Sequence, residues 1–398
     1  MSKKILVLTP RLPYPLIGGD KIRIYSIAKG LIKAGHELSL VSFVTNRREA
    51  ELSQRSEFTN IFSSVQTVVL PRWRSYLNTL RGLASKKPLQ IFYYRSQEMA
   101  SLVERELASS RYDAVLVHLI RMAPYVIDKR GVKKILEMTD ALSLNYNRSR
   151  QYGSSSLLGI IYRIEEKRVM EYEQECIKQF DVSVVVSLID RDYLIKNKDE
   201  KTREKVKVIS HGVLDAFLQY DSQVYNKNLI VFIGNLKTHQ NNDAILYFVK
   251  KIYPLIKLRR STAILRIVGA NPSRAVRNLD GKNGIEITGK VKNVADYTIE
   301  ACVSVSPIRI GAGMRGKILE SMAMGIPVVT TTVGVEGIEN ARHGKHFLAA
   351  DTPEKFAEAV FNIMDNLSLR DSLSRNGKEL ARRYRYSALA QKYAKLLD

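Results

Sequence analysis

The strongest constraint on this chain's fold is a repeated alternation. Short runs rich in Val, Ile and Leu are each followed by a stretch with helical periodicity, and the series occurs twice in 398 residues. Runs of this kind suit strands buried on both faces of a parallel sheet, and the intervening helices supply the crossovers. The first series reads as strands at Ile5–Leu8, Leu38–Phe43, Val65–Val69, Ala114–His118, Lys134–Met138 and Val182–Val186, with helices over Lys21–Ala34, Gln97–Ser109 and Tyr162–Phe180. The second reads as strands at Val206–Ile209, Leu229–Ile233, Ile264–Val268, Ile285–Thr288, Cys302–Ser306 and Val328–Thr330. A chain of this length exceeds one hydrophobic core, so two doubly wound α/β domains in tandem are expected. The charge-rich stretch Lys196–Lys207 marks the boundary, giving domains at 1–205 and 206–383, with an amphipathic C-terminal helix within 384–398.

Composition narrows the class. Cys176 and Cys302 are the only cysteines, which excludes a disulfide framework and points to a reducing compartment. The apolar run Ile5–Leu8 is broken at Pro10 and is too short for a signal peptide, so it reads as a strand. No run approaches a membrane span, and the expected location is cytoplasmic, either soluble or peripheral on the inner face of the membrane. Six scattered histidines and no cysteine pair at zinc spacing predict no metal. Asp190 and Asp192 spell a D-x-D at a helix start, where a capping role is the better reading.

The most informative segment is Pro307–Thr331, PIRIGAGMRGKILESMAMGIPVVTT. An apolar strand leads through Pro307 into Gly311, Ala312, Gly313 and Met314. A short helix then carries Arg315, Lys317 and Glu320 and stops at Gly325–Pro327. A glycine turn feeding a helix N-terminus presents backbone N–H groups and the positive end of the helix dipole, a good setting for phosphate. Two cations and a carboxylate lie within about a turn of that point, so the segment reads as a cradle for a nucleoside diphosphate. Spacing alone leaves open an ordinary loop–helix–strand unit with surface charges.

This segment resembles the donor-site signature of the family 4 retaining glycosyltransferases, in the branch reading roughly G-x-G-x-R-x-K-x-L-E-[AS]-M-A-x-G-x-P-V-V. GGDKIR around Gly18 and Gly19 is similar to the same branch, as is VMEYEQECIKQFDVSVVVSLIDRDYL further on. The strand-end marker N-G-V-D reads here His211–Gly212–Val213–Leu214. The resemblance implies the GT-B fold, two Rossmann-like domains facing each other across a cleft, with the last helix crossing back to the first domain. It implies a retaining transfer of sugar from a UDP- or GDP-sugar, without metal or other cofactor, to a lipid-linked or polysaccharide acceptor in envelope glycan synthesis. Glu320 then corresponds to the carboxylate that binds the ribose, Arg315 and Lys317 to the charges on the diphosphate, and His118 to a strand-end histidine contacting the sugar. Gly18 and Gly19 allow close approach of a phosphate or sugar. Gly234 and Lys237, in FIGNLKTHQNNDA, stand where the family places diphosphate-holding residues. Asp20, Arg23 and Asp140 are acceptor-side candidates, Asp140 having a helix N-cap as its alternative. The family's common second glutamate, eight residues before Glu320, is Ala312 here, so N–H groups from Gly311 to Met314 would bind the sugar in place of a side chain.

The formal net charge of +23 is spread over both halves of the chain. From Phe58 to Gln97 there is no acidic residue, and Arg72, Arg74, Arg81, Lys86, Lys87 and Arg95 interleave with Trp73, Tyr76, Leu77, Leu80 and Leu83. Such a segment (71–95) suits an anionic membrane surface, or else a helix packed on its own domain. No nucleic-acid-binding signature accompanies it. Two other activities fit the same features: a sugar-nucleotide epimerase of the GT-B type, and a non-catalytic basic protein for anionic polymers.

Overall fold

The apolar runs form two separate parallel sheets in the computed structural model, which describes residues 2–16, 18–152, 157–196, 198–222, 224–311 and 313–398. The first sheet contains β1 (Lys4–Thr9), β2 (Glu37–Val44), β3 (Ser64–Val69), β4 (Ala114–His118), β5 (Lys133–Thr139), β6 (Val182–Val185) and β7 (Val206–Val208). Their order is β3-β2-β1-β4-β5-β6-β7. Ile5 pairs with both Leu38 and Ala114, so β1 is central and covered on both faces. Its last five residues are fully buried, as a central parallel strand requires.

Helix α1 (Gly19–Lys33) follows β1 and buries Ile24, Ile27, Ala28 and Leu31 at helical spacing. Asp20 in its first turn and Lys33 in its last suit the helix dipole, and Gly35 ends it in the left-handed region. Helix α2 (Arg72–Arg81) follows β3, and α3 (Leu142–Tyr152) and α4 (Leu157–Gln179) lie between β5 and β6.

β7 corrects the sequence reading. The run at 206–209 was expected to open the second sheet, but Ser183 pairs with Val206 and Val185 with Val208, which makes it the edge of the first. The first unit therefore runs to Ser210 and takes in 386–398, and the second spans His211–Arg385.

The second sheet comprises β8 (Asn226–Ile233), β9 (Ile264–Val268), β10 (Ile285–Gly289), β11 (Ala301–Ser306), β12 (Val328–Thr330) and β13 (Leu348–Ala349), in the order β10-β9-β8-β11-β12-β13. Helix α5 (His239–Tyr247) follows β8, and α6 (Gly316–Ala323) lies between β11 and β12. One face of the sheet closes over Phe232, Phe248, Ile267, Val303 and Phe356. The other closes over Leu229, Val231, Met324 and Ile326. The short β13 escaped the sequence reading because two residues carry no periodicity.

The last helix, α7 (Tyr386–Ala394), belongs to the first unit and packs on α1. A side chain at Gly30 would overlap the methyl of Ala390, so the two backbones approach as only glycine permits. Each sheet reverses its strand order once, between β1 and β4 in the first and between β8 and β11 in the second. Open α/β sheets bind ligands at such switch points, beyond the carboxyl ends of the strands.

Candidate functional site

The switch point of the second unit lies between the loops after β8 and β11, which hold most of the donor-side residues read from the sequence. Gly311 has φ +122 and Gly313 φ +76, so the turn needs both glycines. A side chain at Gly311 would collide with the guanidinium of Arg315. Ala312 lies outside the described residues. Arg315 is the N-cap of α6, and Ile318 N–H returns to its carbonyl at 3.0 Å. The first N–H groups of α6 lack carbonyls one turn back within the helix and point out of its N-terminus.

Lys317 and Glu320, three apart, share one face of α6. The Lys317 ammonium donates to Asn241 Oδ1 and lies 5.2 Å from the centre of the Phe232 ring. Burial, then the neighbouring Arg315 guanidinium, pushes its pKa down to about 7, against the pull of Glu320. Burial likewise pushes Glu320 up to about 7, with Lys317 opposing. Among the described residues the Glu320 carboxylate accepts no hydrogen bond and forms no ion pair, while its backbone carbonyl accepts from Met324 N–H at 3.2 Å. Both charges are thus held in a poorly solvating place with little compensation, a pattern that marks functional sites.

The loop after β8 completes this cluster. Gly234 is tight against Asn241 and Gly269, since a side chain at Gly269 would overlap the Gly234 carbonyl. Asn241 bonds back to Asn235 O at 2.9 Å while holding Lys317, and so ties the β8 loop to α6. The sequence reading missed this role: Asn241 was visible in FIGNLKTHQNNDA, but its partner is 76 residues away. It also passed over Arg309, which pairs with Asp243 at 2.6 Å and stacks 4.2 Å from the Tyr247 ring centre, bracing the β11 loop on α5. Lys237 is exposed on the β8 loop, its N–H donating to Asn235 Oδ1 at 3.2 Å. The His211 ring faces Gly316, the first residue of α6.

In the first unit, His118 ends β4 at the other switch point. It is buried, and neither ring nitrogen has a hydrogen-bond partner among the described residues. Burial pushes its pKa down to about 4, with Asp20 and Glu137 pulling the other way, so the imidazole is neutral at pH 7. The next residue, Leu119, has φ +68 and ψ +145, and Thr139 at the end of β5 has φ +68. Strained backbone of this kind persists where surroundings impose it, commonly at binding sites. Gly18, at φ +103, caps α1 and Gly19 begins it. Asp20 pairs with Arg11 at 2.5 Å. Burial alone would raise its carboxyl, but Arg11 and His118 hold it below the ordinary value.

Arg23 does not belong to this site. It is buried, with Nε 2.7 Å and Nη2 3.1 Å from the two Glu137 oxygens. It also donates to Ser210 O, Ile209 O and Tyr393 Oη at 2.7 to 2.8 Å. Although burial opposes the charge, Glu137 more than restores it and raises the guanidinium pKa. Arg23 thus pins α1, β5, the end of the first segment and α7 together. As for Asp140, Glu173 of α4 accepts from the N–H groups of Leu142 (2.7 Å) and Ser143 (3.3 Å) that open α3. At the D-x-D the capping group is Ser187, which accepts from Asp190 N–H at 3.1 Å, while Asp190 accepts from Ala141 N–H at 3.0 Å. Among the described residues no cluster of three His, Cys, Asp or Glu side chains could hold a metal ion.

Residues 227–366 match the family described as Glycosyl transferases group 1. An uncharacterized protein of the cps region of Klebsiella pneumoniae is 24% identical over 384 residues, 92% of each chain. An uncharacterized glycosyltransferase of Methanocaldococcus jannaschii is 30% identical over 199 residues, 48% of this chain and 53% of that one. The structure of TarM of S. aureus superposes with a TM-score of 0.74 over 100% of this chain and 99% of that one, at 11% identity. The second unit thus carries a group 1 glycosyltransferase domain, and the chain is a glycosyltransferase with the GT-B fold.

Proposed function

We propose that the protein is a retaining glycosyltransferase of the family 4 type. It would transfer a sugar from a UDP-sugar to a lipid-linked or polysaccharide acceptor in envelope glycan synthesis, without metal, on the inner face of the membrane. The observation that carries the reading is the pair Lys317 and Glu320, half-buried and barely compensated on α6 directly after the glycine turn. A nucleoside diphosphate supplies what both lack: anionic oxygens for the ammonium and hydroxyl donors for the carboxylate. A variant of TarM, which shares the fold, is known in complex with UDP and α-GlcNAc-glycerol, and this supports uridine as the base.

In this reading Glu320 accepts from the ribose hydroxyls. Arg315 and Lys317 hold the diphosphate, Arg through a planar fork and Lys as a point charge. N–H groups from Gly311 to Met314 and the backbone at Gly234 bind the donor, with Lys237 adding charge from the β8 loop. His118, neutral and with both ring nitrogens unpartnered among the described residues, is assigned to a sugar hydroxyl. Gly18 and Gly19 admit close approach, and Asp20 and Asp140 are assigned to the acceptor. As the bond from the anomeric carbon to the phosphate oxygen breaks, charge gathers on the leaving diphosphate, where Arg315 and Lys317 stabilise it. Position 312 is Ala, so no carboxylate there can form a covalent intermediate. The acceptor oxygen would attack from the leaving-group face and pass its proton to the departing phosphate.

Thermal unfolding of wild type and Glu320→Ala, with chelator and each of UDP, GDP, ADP and CMP, tests this. UDP at a hundredfold its dissociation constant should stabilise the wild type by about 2.7 kcal/mol and leave the variant unmoved. A shift with none of the nucleotides, together with a salt-sensitive shift on adding a polyanion, would sink the reading.

A further inference from the structure

Helix α2 is amphipathic the wrong way round for a helix packed on its own domain. Its buried residues are Ser75 and Asn78. Asn78 donates to Arg95 O at 2.9 Å, and Gly82 beyond the helix end sits on the Phe92 ring. The opposite face puts its apolar side chains in water: Trp73 is 63% exposed, Tyr76 61% and Leu80 61%, with Leu77 and Leu83 also exposed. Sequence alone left open whether this face packs inward, and it does not.

A second element extends the patch. Arg168 of α4 donates to Leu83 O at 3.0 Å, which brings α4 against the end of the α2 segment. Ile161, Ile164 and Arg168 fall at i, i+3 and i+7, on one side of that helix. Ile164 is 49% exposed and Ile161 is exposed as well. An apolar surface on two helices of one unit is therefore rimmed by exposed Arg72, Arg74, Arg81, Lys86 and Lys87, in a segment without a single acidic residue.

We infer that this surface docks the first unit on an anionic lipid bilayer, with Trp73, Leu77, Leu80 and Ile164 entering the interface and the basic rim meeting the headgroups. Charge selects this occupant. A second copy would bring five like charges against five more, whereas an anionic bilayer neutralises them, and the aromatic and aliphatic face fits the boundary between headgroup and chain. No described helix is long and apolar enough to cross a membrane, so the attachment is parallel to the surface. The inference stands on this surface alone; only its link to a lipid-linked acceptor rests on the function proposed above.

Co-sedimentation of the full chain with phosphatidylcholine vesicles, with and without phosphatidylglycerol, is the test. Wild type should bind only the anionic vesicles. Trp73→Ser/Leu80→Ser should bind at least tenfold more weakly, and each of Arg72→Ser and Arg81→Ser about fivefold, all with unchanged melting temperature and unchanged response to UDP. Glu320→Ala should bind like wild type, so failure of the donor site and failure of the membrane surface read out separately. Vesicle binding that ignores Trp73→Ser/Leu80→Ser would overturn the proposal, leaving only charge attraction. So would a concentration-dependent dimer of the wild type that this variant abolishes, which would make the patch a contact between copies.

Discussion

Arg23, fully buried, and Lys317, half-buried, are both cations set into a Rossmann-like unit, and their surroundings differ completely. Arg23 meets both oxygens of Glu137, two carbonyls and the Tyr393 hydroxyl. Lys317 has one amide oxygen and the face of Phe232. The pKa directions follow, with Arg23 raised and Lys317 lowered to about 7. The contrast separates two uses of a buried charge. A cation whose partners are all present locks structure, while one left short of partners is built for a partner that arrives later.

The largest effect should come from breaking the satisfied site. Arg23→Met leaves Glu137 charged and buried, and a broken buried pair costs about 3–5 kcal/mol. Urea unfolding should show that loss. Arg23→Met/Glu137→Leu should regain most of it, because no charge is then stranded. Equal stability of the single variant and wild type would contradict the structural assignment. Lys317→Met should do the reverse. Its stability should equal or exceed that of wild type, while turnover falls about 10²–10³-fold, the usual effect of removing one group that stabilises transition-state charge. Lys317→Arg should rescue little, since the space beside Asn241 and Phe232 holds a compact ammonium.

The same contrast explains what was legible in the sequence. Strands β4, β9 and β12 begin and end where their apolar runs do, because a strand buried on both faces has an apolar run with sharp ends. The glycines, cations and carboxylate of 311–320 were legible because they are close in sequence. Arg23 was misread because Glu137, its partner, lies 114 residues away. In GGDKIR it is one turn from Asp20, and nothing local says that it points inward instead. Asn241 was missed for the same reason. The strand at 206–208 was assigned to the wrong sheet because three alternating residues look alike at the end of one domain or the start of the next, and only pairing with β6 decides.

A pH series sharpens the comparison further. The Glu320 pKa is raised from 4.5 to about 7, so the folded state holds more protons than the unfolded between those values and stability falls as pH rises through them. The Lys317 pKa is lowered from 10.5 to about 7, so the unfolded state holds more protons above pH 7 and stability recovers as pH rises further. The pair should therefore contribute a stability minimum near pH 7 in the unliganded protein. Urea midpoints across that range should show a dip that Lys317→Met/Glu320→Gln removes. UDP binding well above pH 7, where Glu320 is already ionised and Lys317 still largely neutral, should take up protons, because a diphosphate restores the ammonium, and calorimetry in buffers of different ionisation enthalpy would detect it. Binding without proton uptake would mean that Lys317 does not meet the diphosphate.

The smallest effect concerns the other undersatisfied residue, His118. It is buried without a hydrogen-bond partner among the described residues, and the chain leaves it through Leu119 at φ +68, ψ +145, a conformation natural to glycine and costly for leucine. Leu119 N–H is nevertheless held by Glu137 O at 2.8 Å, so the ladder between β4 and β5 imposes the strain. Leu119 is itself partly exposed, and Leu119→Gly sacrifices little packing. Relief of the backbone should outweigh that loss together with the greater freedom of glycine in the unfolded chain, for a net gain of about 1 kcal/mol. If the strain serves to aim the imidazole, turnover should fall as stability rises, because glycine loosens the strand end that carries His118. A variant both more stable and fully active would show that the strain is incidental, and that His118, unlike Lys317, is merely a neutral residue filling the core.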